Sequence, residues 1–135
     1  MKSLRALSQK VFVAVTAAAG IEVQKTAEIS ALVVQEEEMR KLNRTWRGHD
    51  SSTNVLSFPT GDSEILGDIV LCEPVIRREA EHLRKTYDSH LTHMLAHGML
   101  HLLGFDHETR AEAERMERIE VKALKKLGEG NPYAQ

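Results

Sequence analysis

Leu4, Leu7, Val11, Val15 and Ala18 recur at spacings of three and four residues, which sets them along one side of a helix, while Lys2, Ser8, Gln9 and Thr16 fall largely elsewhere. That is the pattern of an amphipathic helix laid on a sheet, and Gly20 ends it. Ile29, Leu32, Val33 and Val34 then form a β-branched and aliphatic run, so residues 28–35 read as the first strand. Glu36, Glu37 and Glu38 followed by Arg40 and Lys41 put acids in a first turn and bases in a last one. This complements the dipole of a short helix running to about Arg44. Residues 53–58 and 65–72 are two more strand candidates. Pro59 and Gly61-Asp62-Ser63 between them make an antiparallel hairpin the simplest connection.

After Pro74 the pattern turns helical to the end. Residues 75–87 predict one helix, and Asp88 or Ser89 can cap the next, which carries His97 and His101 and stops at Gly104. Leu95, Leu102 and Leu103 would anchor that helix in the core. Thr109-Arg110-Ala111-Glu112 matches a capping box, and Met116, Ile119 and Leu124, with Val121 and Leu127, give the last helix an apolar stripe before Gly128. The expected fold is α+β, a small mixed sheet packed with about five helices. With 135 residues, 41% of them hydrophobic, the chain is read as one domain over residues 1–135, of which 128–135 form a loose tail.

Charge and cysteine content narrow this only slightly. A formal charge of -2 gives no whole-chain case for nucleic acid, so such a partner would need a local patch. The single cysteine, Cys72, cannot form an internal disulfide, which fits a reducing cytoplasm, and it sits in an apolar strand pattern where core packing is its expected role. Lys2, Arg5 and Lys10 before the run from Val11 to Gly20 have some character of an export signal, but the helical stripe opposes it. No apolar run approaches the length of a membrane span.

The chemistry concentrates in one stretch. His97 and His101, four residues apart on a helix, lie about 40° apart around its axis and about 6 Å apart along it, so both imidazoles enter one volume. Gly104 can take the left-handed conformation that ends a helix and carries His107 back to the same point. Three imidazoles suit zinc and leave a fourth tetrahedral position for water, the arrangement of a catalytic site. His-x-x-x-His-x-x-Gly-x-x-His is also the ligand spacing of metzincin-type zinc peptidases, but their general-base glutamate follows the first histidine, and here that position is Gly98. Helix twist turns His93 away from the ligand point, so a surface or supporting role is expected; His49, His82 and His90 lack ligand spacing and are expected in solvent.

His97-Gly-x-Leu-His101-Leu-Leu-Gly-x-Asp106-His107 resembles the signature of the YbeY family, zinc-dependent endoribonucleases of bacterial rRNA maturation. Three other segments agree in order and spacing. Leu42 to Asp50 resembles the family's Asn-x-x-Tyr/Trp-Arg segment, Thr53 to Pro59 its next strand, and Leu66-Gly67-Asp68-Ile69 the strand after that. The likeness runs from about residue 4 to about residue 127. It departs at the start, where family members usually open with a β-strand that this chain has no room to form in full.

The resemblance implies a cytoplasmic endoribonuclease specific for single-stranded RNA, acting in 16S rRNA 3′ end maturation and ribosome quality control. It implies one Zn²⁺ held by His97, His101 and His107 in a zincin-like cleft between the sheet and the His97 helix. Ribosomal small-subunit proteins or an assembly GTPase are the protein partners it suggests, with no membrane involved. Arg47 matches the family's catalytic arginine, and a guanidinium offers paired donors to the charge that builds on phosphorus during RNA cleavage. Arg40, Lys41, Arg44 and Arg47 carry no acid among them and can form a phosphate-binding face, although a solvated helix end suits Arg40 and Lys41 better. Asp106, which matches the family's Asp-His pair, can orient the ligands, relay a proton or hydrogen-bond the turn. Two rival readings share the ligands: a non-enzymatic ribosome-assembly factor stabilised by zinc, and a metallopeptidase with its base supplied from elsewhere.

Overall fold

In chain order the elements are α1 (Leu4–Ala19), β1 (Glu28–Val34), α2 (Glu36–Arg47), β2 (Val55–Pro59), β3 (Ile65–Cys72), α3 (Glu73–His82), α4 (Tyr87–Leu102) and α5 (Arg110–Lys126). They come from a computed structural model that describes residues 4–22, 27–62 and 64–133. β3 is the central strand, parallel to β1 and antiparallel to β2, so the small mixed α+β sheet expected from the pattern is present. A central strand covered on both faces reads as a continuous apolar run, and Ile69, Val70, Leu71 and Cys72 are all buried. Alternation sends Ile69 and Leu71 into a core with α1, α4 and α5, while Val70 and Cys72 meet Val34, Leu56 and Met39 beneath α2. Cys72 therefore packs as expected, and burial pushes its thiol pKa up.

The hairpin between β2 and β3 is closed by Asp62, whose Oδ1 accepts from the amides of Glu64 at 2.6 Å and Ile65 at 3.2 Å. α2 runs beyond Arg44 to Arg47, where Gly48 takes the left-handed cap at φ 74°. The predicted helix over 75–87 stops at His82, and the next begins at Tyr87. The chain leaves α3 after His82, Arg84 takes φ 57°, and Thr86, not Asp88 or Ser89, caps α4 by accepting from the Ser89 amide at 3.1 Å.

Ser8 and Thr16, read as polar-side residues of α1, are buried, and the Thr16 hydroxyl donates to the Phe12 carbonyl at 2.9 Å. The segment after Gly128, expected to be loose, is held at two points: Ser89 donates to Glu129 at 2.8 Å and the Tyr133 hydroxyl donates to Glu120 at 2.6 Å. Lys2, Ser63 and the last two residues of that segment lie outside the described residues. No helix among the described residues is long and apolar enough to cross a membrane.

Candidate metal centre

α4 delivers its histidines from a rigid base. Leu95, Met99 and Leu100 are fully buried, and Gly98 lets the helix lie directly on the sheet: a Cβ there would meet Ile69 Cγ2 at 2.9 Å and Ser57 Oγ at 3.1 Å. The Ser57 hydroxyl uses the same approach to donate to the Gly98 carbonyl at 3.0 Å. Gly104, at φ 95°, turns the chain out of the helix, so His107 returns beside His97 and His101. One ligand atom from each of these three residues falls within 4.8 Å of the others.

The hydrogen bonds decide which ring atoms face the common point. His97 Nδ1–H donates to Glu120 Oε1 at 2.8 Å, and His101 Nδ1–H donates to the Phe105 carbonyl at 3.0 Å. Both Nε2 lone pairs are thereby left inward, 3.1 Å apart. A tetrahedral zinc with bonds of about 2.0–2.1 Å separates its nitrogens by about 3.3–3.4 Å, so the pair needs little adjustment to share an ion. Burial, then the imidazoles of His97 and His107, press the His101 pKa below its ordinary value and keep the ring in its neutral, ligand-competent form. The donor set fits a zinc ion.

Glu120 is the residue that sequence reasoning missed. It is 1% exposed in α5 and accepts from three donors: His97, His93 Nε2 at 2.8 Å and the Tyr133 hydroxyl at 2.6 Å. Burial alone would raise its pKa, but those three donors overcome it and hold the carboxyl down at about 2. Burial and the Glu120 charge push the Tyr133 pKa up in turn, so its proton stays on the phenol. Glu120 approaches His97 from behind, at Nδ1, where a carboxylate orients a ligand and raises its basicity.

Arg47 leaves the end of α2 towards β2. Its guanidinium donates to the Ser57 carbonyl at 2.5 Å and lies over the Phe58 ring, 5.4 Å from the centroid. Ser57 thus links the arginine to α4 one residue from His97. Of the other basic residues there, Arg40 is bidentate on Asp50 at 2.8 and 3.0 Å, Arg44 lies 3.6 Å from the same carboxylate and Lys41 is 3.7 Å from Glu37. Asp106 Oδ1 accepts from the His107 amide at 2.7 Å, the turn-bonding alternative.

The model of the family Endoribonuclease YbeY matches residues 1–128. The chain belongs to this family. An Endoribonuclease YbeY of Stutzerimonas stutzeri is 50% identical over 115 residues, covering 81% of this chain and 72% of that protein. One from Aromatoleum aromaticum is 52% identical, covering 80% and 71%. One from Acinetobacter baylyi is 47% identical, covering 85% and 79%. The solution structure of TM1509 from Thermotoga maritima superposes with a TM-score of 0.58 at 25% identity, covering 98% of this chain and 91% of that one.

Within this YbeY chain the other histidines divide differently from expectation. His49 and His82 are exposed, as expected. His90 is not: it is buried, with Nε2 donating to Glu79 at 2.9 Å, while Glu79 also receives the Asn54 amide at 3.2 Å. His93 takes the supporting role through Glu120, outside the three-histidine group.

Proposed function

We propose that this YbeY-family chain is a metal-dependent endoribonuclease that cuts single-stranded RNA during rRNA processing. His97, His101 and His107 are the ligands of one zinc ion, and Arg47 meets the charge developing on the phosphate. The observation that carries the reading is the pair of Nδ1 hydrogen bonds, which spend the outer nitrogens of His97 and His101 on Glu120 and Phe105 and aim both Nε2 atoms at one point. When bound there, zinc supplies Lewis-acid charge at the scissile phosphate and lowers the pKa of water.

The protein's own part is positional and electrostatic. Ser57 holds the Arg47 guanidinium and the α4 backbone together, so the cationic fork is offered from the sheet side of the metal helix. Asp106 fixes the backbone of His107. Assignment to 16S rRNA 3′ end maturation and ribosome quality control in the cytoplasm, with small-subunit proteins or an assembly GTPase as partners, rests on the family alone.

Gly98 weighs against a peptidase. The position where zinc peptidases carry their base has no space for a side chain, since even a Cβ crowds Ile69 and Ser57, and Glu120 is committed to the far side of His97. The test is to strip the protein with a chelator, restore zinc, and assay single-stranded RNA, duplex RNA and casein in parallel. Cleavage of the single strand is expected to disappear and return with zinc, with duplex and casein untouched. Undiminished RNA cleavage by the stripped protein contradicts the reading, and zinc-loaded protein that cuts nothing favours the assembly-factor alternative.

A further inference from the structure

We propose that Trp46 is a stacking platform for an unpaired nucleobase of the RNA strand, set beside the phosphate-binding fork of Arg47; the inference rests on the ribonuclease reading above. Trp46 is the only tryptophan of the chain and is 66% exposed. A tryptophan left in water forfeits the burial that usually justifies so large a ring. Its place is set by the extra turn of α2: Gly48 ends the helix only after Arg47, so adjacent positions send Arg47 inward to Ser57 and leave Trp46 on the surface.

The ring is not floating. Phe58 meets it edge-on, with centroids 6.4 Å apart and planes at 75°, and the same Phe58 ring carries the Arg47 guanidinium. Phe58 adjoins Ser57, and Ser57 is bonded to Gly98 beside His97, so an unbroken line of contacts joins the exposed indole to the metal helix. Arg44 and Arg47 lie on the same last turn; Arg44 is 3.6 Å from the Asp50 carboxylate, whereas the Arg47 guanidinium rests on a neutral carbonyl and keeps its charge for the strand. A supported π-face beside guanidinium groups is the combination that holds single strands: the face takes a base of any identity and the cations take the backbone. The exposed aliphatic residues Val13, Leu32, Ile65 and Leu83 offer no such face.

Because the chain has one tryptophan, its intrinsic emission reports on this residue alone. Zinc-loaded protein is titrated with a fluorescein-labelled 2′-O-methyl oligoribonucleotide, and anisotropy and tryptophan emission are followed together. Emission is expected to be quenched in step with binding. Trp46→Ala is expected to weaken binding about tenfold and Trp46→Phe roughly threefold, because a smaller ring keeps part of the stacking. Cleavage of unmodified RNA is expected to lose kcat/KM in step with the weakened binding, with the larger share of the loss in KM. Thermal melting of both variants confirms that they remain folded. Binding seen by anisotropy with unmoved emission, or Trp46→Ala binding as tightly as the parent, overturns the proposal and leaves the ribonuclease reading standing. Protein that neither binds nor cuts RNA overturns both.

Discussion

The two halves of α4 carry histidines on the same stripe, yet only one half joins the three-histidine group that could hold a metal ion. In the first half, His90 and His93 spend Nε2 on carboxylates, Glu79 and Glu120, and their Nδ1 atoms are buried with no hydrogen-bond partner among the described residues. In the second half, His97 and His101 spend Nδ1 on Glu120 and Phe105 and keep Nε2 open. Glu120 touches both halves, one oxygen for His93 and the other for His97. What distinguishes a candidate ligand from a packing histidine here is not burial or spacing but which ring nitrogen the surroundings have already consumed.

The sharpest way to break this comparison is to remove one histidine from each half. His101→Ala is expected to lower zinc affinity at least about 100-fold and abolish RNA cleavage. His90→Ala is expected to keep one zinc per chain while losing about 1–3 kcal/mol of stability, because Glu79 loses a buried donor. Metal analysis and urea unfolding of the two proteins measure both, and equal loss of zinc would erase the distinction between the halves.

Acid tests the shared carboxylate next. A carboxyl held at about 2 instead of its ordinary 4.5 stabilises the folded state above about pH 4.5, and that stability is lost as the pH falls towards 2. For so buried a group the whole contribution is on the order of 3 kcal/mol. Urea unfolding of metal-free protein should therefore show falling stability across that window, with a smaller fall for Glu120→Gln. An unchanged slope in the variant removes Glu120 from the account. The same Glu120→Gln protein, at neutral pH, is expected to bind zinc about 10–100-fold more weakly than the parent while remaining folded, as for other carboxylates behind metal-bound histidines. Unaltered affinity by competition with a chromophoric chelator would mean that the carboxylate does not orient His97.

The contrast also explains what could be read from the chain. The convergence of His97, His101 and His107 was legible because four-residue spacing and a helix-ending glycine are local, so residues 97–107 largely set their own geometry. Glu120 was not, because it reaches His97 from another helix. Its signal was an acid in step with Met116 and Leu124 on a buried stripe, a position that normally demands a partner. His90 was read as solvated for the same reason, since Glu79 and Asn54 come from outside its own helix. The break between α3 and α4 was expected after residue 87 and falls earlier, because Arg84 takes its left-handed turn without the glycine or proline that would mark it. The sheet order could be expected only in outline: the hairpin of β2 and β3 follows from its turn, whereas the parallel pairing of β1 to β3 across α2 and β2 is a tertiary choice.

The central claim is that metal binding and phosphate stabilisation are separate tasks, held on α4 and at the end of α2 and joined through Ser57. It is tested most directly by measuring zinc content and single-stranded RNA cleavage on one preparation of Arg47→Ala. Full zinc with cleavage reduced at least about 100-fold is the expected result, the loss that follows from removing a charge-stabilising donor at a reacting phosphate. Cleavage at the parent rate with zinc retained would contradict it and take Arg47 out of the active site.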